Sequence, residues 1–268
     1  MSRISEKFDV LKKAGGKALI PYIMAGDPDM AATGRMILEL EKSGADIIEL
    51  GVPFSDPLAD GPTIQRAAIR ALKGRVNLSH VFSLVRDVRK KTQVPIVLML
   101  YYNLVLKYGE DRFVKDAVSA GVDGVIVPDL PPEEAEGLMD AADRYGLDVI
   151  FLLAPTSSPD RIRLVAGSSR GFIYYVSLTG VTGARVALDK GIQSGVRKIR
   201  RVTGKPVCVG FGISGPEQAA MVSGWADGVI VGSAIVGIME RSMDVEAMLK
   251  KVGGFVRGIK KSMLPLNR

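Results

Sequence analysis

Cysteine, histidine and long apolar runs are nearly absent from this sequence. It holds one cysteine, Cys208, and one histidine, His80, among 268 residues, so it can form no internal disulfide and has no zinc-type Cys/His spacing. The longest apolar run, VPIVLMLYYNLVL, is too short to cross a bilayer, which needs about 20 residues. The opening MSRISEKFDV is too charged for the core of a signal peptide. We therefore expect a protein of the reducing cytoplasm that does not act at a membrane.

The net charge of +7 comes from basic residues that gather in ranges 185–205 and 250–268. Neither range shows aromatic interleaving or a recognition-helix pattern, which nucleic-acid binding would favour. We interpret them as a solvated basic face that attracts anionic substrates, with no nucleic-acid partner.

Short runs rich in valine, isoleucine and leucine recur along the chain, with helical patterns between them. Most are continuously apolar, which is typical of parallel strands buried on both faces. Helix starts such as SSPDRI, LPPEEAE and SGPEQAA carry N-cap and proline signals. The eight runs are ALIPYIMAG, ADIIELGVP, PIVLMLYYN, DGVIVPD, DVIFLLAP, GFIYYVS, PVCVGFG and DGVIVGS.

Eight such units in about 250 residues predict an α/β protein, a single-domain (β/α)8 TIM barrel spanning residues 1–268. An open doubly wound sheet is the alternative, but it would need a glycine-rich fingerprint after the first strand, and AGDPDM is not one. Ile4, Phe8 and Leu11 share one face of an N-terminal helical segment. This pattern predicts an extra N-terminal helix that covers one end of the barrel.

A carboxylate interrupts the second run, ADIIELG. The two-residue period of a strand places Glu49 inward with Ile47 and Gly51, while Ile48 and Leu50 face the helices. A buried carboxylate costs several kcal/mol unless it is paired or its pKa rises. None of the eight runs contains lysine or arginine. We therefore expect Glu49 to transfer protons, and the missing lysine argues against Schiff-base chemistry.

The loop VPFSDPLADGPT after that strand adds two more carboxylates. Its prolines stiffen it, so it is able to return a carboxylate over the barrel mouth. Asp56 fits a turn cap or a surface contact, and Asp60 fits a helix cap and a catalytic role equally well. A metal site from Asp27, Glu49, Asp56 and Asp60 is conceivable, but a substrate phosphate that is held by backbone N–H groups needs no metal. We expect no metal and no cofactor.

Glycine-rich segments follow the last three strands. SLTGVTGARVALDKG suggests a mobile lid. GFGIS (Gly210–Ser214) and GSAIV (Gly232–Val236) follow the seventh and eighth strands, where this fold builds a phosphate cup from backbone N–H groups and a short helix. Plain turn glycines remain the alternative. The residues alone thus indicate a small phosphorylated substrate and proton transfer by carboxylates, without naming the reaction.

Several of these motifs together resemble the family of tryptophan synthase α subunits. ELGVPFSDPLADGPTIQRA, YYNLV, GVIVPDLP, SLTGVTGAR, GFGIS and VGSAIV occur in that family's order. The resemblance implies a (β/α)8 barrel that splits indole-3-glycerol phosphate into indole and glyceraldehyde 3-phosphate. It also implies an αββα complex, in which indole passes through a tunnel to a pyridoxal-phosphate β subunit.

The resemblance also assigns roles to individual residues. Glu49 and Asp60 match the catalytic pair: Glu49 would protonate indole C3 and deprotonate the glycerol hydroxyl, and Asp60 would stabilise positive charge near the indole N–H. The active-site tyrosine falls on Tyr174, although adjacent Tyr175 fits almost as well. The remaining substrate contacts are Tyr22, Met99, Ile126, Thr182, Gly183, Phe211, Gly212, Gly232 and Ser233.

The same resemblance predicts that the catalytic rim docks the β subunit, although the rim residues also suit plain turns. Two other functions stay open: another phosphosugar barrel enzyme, which would want a catalytic cysteine or metal-bound aspartates, and a catalytically weak barrel that mainly activates a β subunit. An intact Glu49 and Asp60 argue against the second. The predicted interface residues are Pro53, Asp56, Asn103, Asp129 and Pro131.

Overall fold

All strands run parallel and close into a barrel. The computed structural model describes residues 2–176, 185–210 and 212–263. Its strands are hydrogen-bonded in the order β5-β4-β3-β2-β1-β9-β8-β7-β6. They are β1 (Ala18–Met24), β2 (Ile48–Gly51), β3 (Ile96–Met99), β4 (Gly124–Ile126), β5 (Asp148–Ile150), β6 (Leu152–Leu153), β7 (Ile173–Val176), β8 (Val207–Gly210) and β9 (Gly228–Val231).

The two ends of this sheet belong to one stretch of chain. Only Phe151 separates β5 from β6, and its carbonyl still accepts a hydrogen bond from the Tyr174 N–H of β7 at 3.2 Å. The fifth predicted run therefore pairs with β4 on one side and β7 on the other. This arrangement confirms the predicted barrel of eight parallel units, with the fifth strand recorded in two parts.

Helices surround the barrel. Two of them lie between β2 and β3, and another fills much of the segment between β7 and β8. No helix in the described ranges is both long and apolar enough to cross a membrane. They are α1 (Arg3–Lys13), α2 (Met30–Lys42), α3 (Pro62–Lys73), α4 (Leu78–Arg89), α5 (Tyr102–Tyr108), α6 (Glu110–Ala120), a 3-10 helix (Pro132–Glu134), α7 (Glu136–Tyr145), α8 (Pro159–Ser168), α9 (Arg185–Arg200), α10 (Pro216–Ser223), α11 (Ser233–Glu240) and α12 (Val245–Ser262).

The helix starts follow their sequence signals. Ser158 caps α8 by accepting a hydrogen bond from the Arg161 N–H, and Pro159 is the first helical residue. Exposed His80 lies in the first turn of α4, where its N–H donates to the N-cap side chain of Asn77 at 3.2 Å. His80 therefore lies on the surface, at the start of a helix.

The strands bury both faces, which explains their continuous apolar runs. Ile48 and Leu50 of β2 belong to the large core between barrel and helices. Ile47 of the same segment packs in a separate cluster inside the barrel, together with Val97 and Ile126. The alternation predicted for ADIIELG is therefore confirmed.

Helix α1 closes the end of the barrel where the strands begin. Ile4 and Phe8 are buried in the interior cluster, and the Phe8 ring lies 5.9 Å from that of Phe172, just before β7. Arg3 at the helix start donates to Asp123, at the start of the fourth strand, at 2.8 Å. The predicted covering helix is thus confirmed, and the opposite end of the barrel is left open for a site.

Candidate active site

A cavity of about 460 Å³ opens at the carboxyl ends of the strands, the end where barrels of this type place their chemistry. Most of its walls come from the ends of β1, β2, β3, β7 and β9 and from the loops that follow β2 and β8. Eight of the predicted site residues line it: Tyr22, Glu49, Asp60, Met99, Tyr174, Gly212, Gly232 and Ser233.

Glu49 lies at the bottom of the cavity and is almost fully buried, with 1% of its surface exposed. Its Oε2 atom has no hydrogen-bond partner among the described residues. Burial, and secondly the charge of Asp60, raise the pKa of Glu49 to about 8. Near neutral pH this carboxyl group is therefore mainly protonated, and it is able to give up a proton and take it back.

Asp60 reaches the same cavity from the acidic loop. Gly61 is the N-cap of α3 and no side chain caps that helix, so Asp60 is not used as a cap. Burial raises the pKa of Asp60 to about 6, against the opposing effect of a hydrogen bond from Tyr101. The Gln65 side chain also donates to the Asp60 carbonyl at 2.9 Å. Near neutral pH the cavity thus holds one mainly protonated and one mainly ionised carboxyl group. Acid-base chemistry requires two groups whose pKa values differ in this way.

Tyr101 is a site residue that the sequence analysis missed. It is 6% exposed, its ring stacks on Phe54 with centroids 5.3 Å apart, and its hydroxyl accepts a hydrogen bond from the Ala59 N–H at 2.9 Å. These contacts tie the acidic loop to the end of β3. The sequence analysis placed only the nearby Asn103 on the rim, because which aromatic side chain turns toward the loop depends on tertiary packing.

Two tyrosines fit the cavity only because glycines face them. A Cβ atom on Gly51 would lie 2.1 Å from the Tyr22 hydroxyl, and one on Gly210 would lie 2.5 Å from the Tyr174 hydroxyl. Tyr175 instead presses its hydroxyl against Gly195 of α9, outside the barrel. The structure thus places Tyr174, and not Tyr175, at the cavity.

Backbone groups suited to an anion also line the cavity. Gly212 has a left-handed φ of 69°, which favours glycine, and α11 begins at Ser233 directly after Gly232. The first N–H groups of a helix lack intrahelical partners and lie at its positive end, so they attract phosphate. Three predicted contacts, Thr182, Gly183 and Phe211, lie outside the described residues, as does most of the proposed lid.

Ile126 is the one described substrate contact that does not line the cavity. It is fully buried in the interior cluster, beside Met99. In the neighbouring strand Met99 is only partly buried and reaches the cavity wall. A contact between Ile126 and a ligand is therefore not supported by its placement.

The predicted interface residues lie on the rim but differ in accessibility. Asp56, Asn103 and Asp129 are exposed and Pro131 is half-buried, whereas Pro53 is buried. Asp129 also accepts a hydrogen bond from the Tyr102 N–H at 2.9 Å, at the start of α5. Two exposed apolar side chains extend the same region, Leu58 on the acidic loop and Leu106 on α5.

Asp27, a candidate metal ligand in the sequence, forms an ion pair with Arg70. Its carboxylate accepts two hydrogen bonds from Arg70, at 2.8 and 2.7 Å. Within ranges 2–176, 185–210 and 212–263, no group of three or more His, Cys, Asp or Glu side chains is placed to hold a metal ion.

Known sequences match this chain over nearly its full length. Residues 8–263 match the family model described as "Tryptophan synthase alpha chain". A tryptophan synthase alpha chain from Geotalea uraniireducens (strain Rf4) is 57% identical over 260 residues, covering 97% of each chain. One from Geobacter sp. (strain M21) is 53% identical over 268 residues, covering 100% of each.

Solved structures show the same likeness. Tryptophan synthase subunit alpha from Legionella pneumophila str. Paris is 40% identical, with a TM-score of 0.90 and coverage of 98% of both chains. A chain of Mycobacterium tuberculosis tryptophan synthase is 39% identical, with a TM-score of 0.89 and 98% coverage of both.

Proposed function

Because the chain belongs to the tryptophan synthase alpha chain family, it is a lyase that cleaves indole-3-glycerol phosphate, and we propose that Glu49 and Asp60 carry out the cleavage. The observation that supports this assignment is the buried Glu49 carboxyl group: its pKa is raised to about 8, its Oε2 atom has no hydrogen-bond partner among the described residues, and it faces the cavity together with Asp60. Membership of the family also sets aside an isomerase or epimerase of another family.

Glu49 acts first as an acid and then as a base. Its protonated carboxyl group delivers a proton to indole C3, which makes the ring system cationic. The resulting carboxylate then removes the proton from the side-chain hydroxyl next to the bond. The C–C bond breaks, its electron pair returns to the indole ring, and the hydroxyl carbon becomes the aldehyde of glyceraldehyde 3-phosphate. Glu49 ends the cycle protonated, so no external acid or base is consumed.

Asp60 stabilises the cationic intermediate. When C3 is protonated, positive charge develops at the ring nitrogen, and an ionised carboxylate nearby favours that state over the neutral substrate. The contacts of Tyr101 and Gln65 hold the loop end, so this charge is in place before the reaction starts. The electrostatic gain is therefore realised mainly in the transition state.

The substrate phosphate binds at Gly212, Gly232 and Ser233. Those residues line the same cavity as Asp60, and the start of α11 supplies backbone donors to a dianion. Apolar and aromatic side chains, including Tyr22, Ile64 and Met99, line the space left for the indole ring.

The rim around the cavity is the proposed docking surface for a tryptophan synthase β subunit in an αββα complex. Exposed Asp56, Asn103 and Asp129 surround the mouth, and exposed Leu58 and Leu106 add the apolar surface that a stable interface needs. Docking there would bring the indole product directly to the partner. The cytoplasm, where the lone thiol of Cys208 stays reduced, is the proposed location.

The test is to incubate the purified chain with indole-3-glycerol phosphate and follow indole by chromatography, with and without a β subunit. We expect slow indole formation that the β subunit accelerates, and loss of both rates in Glu49→Gln. Absence of indole under both conditions would overturn the assignment. A rate unaffected by Glu49→Gln would leave the reaction but remove Glu49 from it.

A further inference from the structure

Four charged side chains outside the cavity connect the two helices whose N-terminal ends line it. Arg70 of α3 grips the Asp27 carboxylate through Nε and Nη2, at 2.8 and 2.7 Å, and its Nη1 donates to Glu240 Oε1 at 2.8 Å. Arg66, one turn earlier, donates to both oxygens of Glu240 at 2.7 and 2.8 Å. We call the chain Asp27–Arg70–Glu240–Arg66 the charged clamp.

The clamp connects α3 and α11, the two helices that begin beside the two ends of the proposed substrate. Helix α3 begins at Pro62, directly after Asp60 and Gly61, and Gln65 of its first turn donates to the Asp60 carbonyl at 2.9 Å. Helix α11 begins at Ser233 and ends at Glu240, about 10 Å further along its axis at 1.5 Å per residue. Because both helices are short and regular, a contact between α3 and the end of α11 sets the distance between Asp60 and the phosphate cup.

The apolar contact between these helices consists largely of small side chains on α3. Ala67, Ala68 and Ala71 of α3 belong to the cluster that contains Val236 of α11. Alanine side chains form low ridges, which interlock weakly with a facing helix. Directional hydrogen bonds between α3 and α11 therefore help to define how far α3 lies along α11.

The geometry of Arg70 suits that task. Asp27 follows β1 and is 3% exposed, so one end of the clamp is anchored in the barrel rather than in solvent. A planar guanidinium binds a carboxylate through two parallel hydrogen bonds and still has a donor for Glu240, which a lysine ammonium cannot reproduce with the same geometry.

We infer that Arg70 is a positioning residue: it holds the carboxylate end and the phosphate end of the active site at one fixed separation. The inference rests on the proposed function, since it assumes a substrate that contacts Asp60 and the start of α11 at the same time. Loss of the clamp should not change the affinity for a ligand that occupies only one end of the site. It should lower the turnover of the complete substrate, which contacts both ends.

The test compares turnover with the binding of a half-ligand. In Asp27→Asn/Arg70→Met both charges of the buried pair are removed, so no ion is left unpaired. We expect its kcat for indole-3-glycerol phosphate to fall about 10- to 100-fold, the loss that misplacement by about 1 Å produces. The Kd for glycerol phosphate, which contacts the cup alone, should stay unchanged. Arg70→Lys should keep the fold and lose a smaller part of kcat.

Arg35→Met is the matched control, because Arg35 pairs with Glu246 between α2 and α12 at 2.5 Å, away from the cavity. Its kcat should equal that of the wild type. Normal kcat in the double variant would overturn the inference, and so would a parallel loss of glycerol phosphate affinity, which would place the effect in the cup itself. A wild-type chain that makes no indole would overturn the proposed function instead.

Discussion

Replacing Glu49 by glutamine should abolish cleavage and at the same time stabilise the fold in a pH-dependent way. The folded-state pKa of Glu49 is raised from 4.5 to about 8, so between these values the folded chain keeps a proton that the unfolded chain releases. Ionisation then favours the unfolded state, and wild-type stability falls as pH rises through this window. Glutamine has the same shape but never ionises, so it is free of this penalty.

The magnitude follows from the shift. For each pH unit over which the folded chain holds this proton and the unfolded chain does not, the free energy of unfolding of the wild type falls by about 1.4 kcal/mol. The free energy of unfolding of Glu49→Gln should therefore exceed that of the wild type by about 1 kcal/mol at pH 5 and by about 4 kcal/mol at pH 8. Turnover should fall by about 10²- to 10⁴-fold, as expected when a general acid-base group is lost.

Urea unfolding of both proteins at pH 5, 6, 7 and 8 would measure this difference. The matched control is Glu217→Gln, an exposed glutamate of α10, whose stability should stay within about 0.5 kcal/mol of the wild type. A gain of equal size at pH 5 and pH 8 would refute a raised pKa at Glu49. A loss of stability at pH 8 would mean that the carboxylate is ionised and paired in the folded protein.

Four further perturbations test other parts of the site. Asp60→Asn should lower kcat by at least tenfold with a smaller change in KM, because its charge matters once the indole becomes cationic; a change confined to KM in steady-state assays would make it a binding residue. Gly212→Asp should abolish glycerol phosphate binding in calorimetry by placing a like charge in the cup, and unchanged affinity would locate the cup elsewhere. Gly51→Ala should cost about 1–3 kcal/mol in urea unfolding, since its Cβ would meet the Tyr22 hydroxyl at 2.1 Å; Tyr22→Phe should recover part of that loss, and full additivity would contradict the contact. Titrating a β subunit should raise indole production, whereas no complex and no acceleration would mean that the chain works alone.

Features that depend on burial alone were predictable from the sequence. Strands buried on both faces give continuous apolar runs, so the barrel and its closing helix could be inferred without coordinates. Glu49 stood out for the same reason: a carboxylate inside such a run has few explanations. Even the split of the fifth strand at Phe151 left its apolar pattern intact.

Features that depend on where a loop turns were not predictable. From the sequence, Asp60 suited a helix cap and a catalytic role equally well. The structure makes Gly61 the N-cap of α3 and leaves Asp60 facing the cavity. Pro53 shares the rim in sequence yet is buried. Tyr101 acquires its position from Phe54 and Ala59, more than 40 residues away, a contact that no local pattern records.

Backbone N–H groups, rather than cationic side chains, are the hydrogen-bond donors at the phosphate end of the cavity. This choice is compatible with a Glu49 carboxyl group that must stay protonated. Among the described residues that line the cavity, none is lysine or arginine. A cation near a carboxyl group typically lowers its pKa by about 1–3 units. The pKa of Glu49 would then fall from about 8 to between about 5 and 7, so that half or more of the carboxyl groups are ionised at neutral pH. An ionised Glu49 has no proton to give to indole C3. Backbone N–H groups at Gly232 and the start of α11 attract the phosphate with partial charges that act mainly at close range, and so the same cavity is able to hold a dianion and keep its acid protonated.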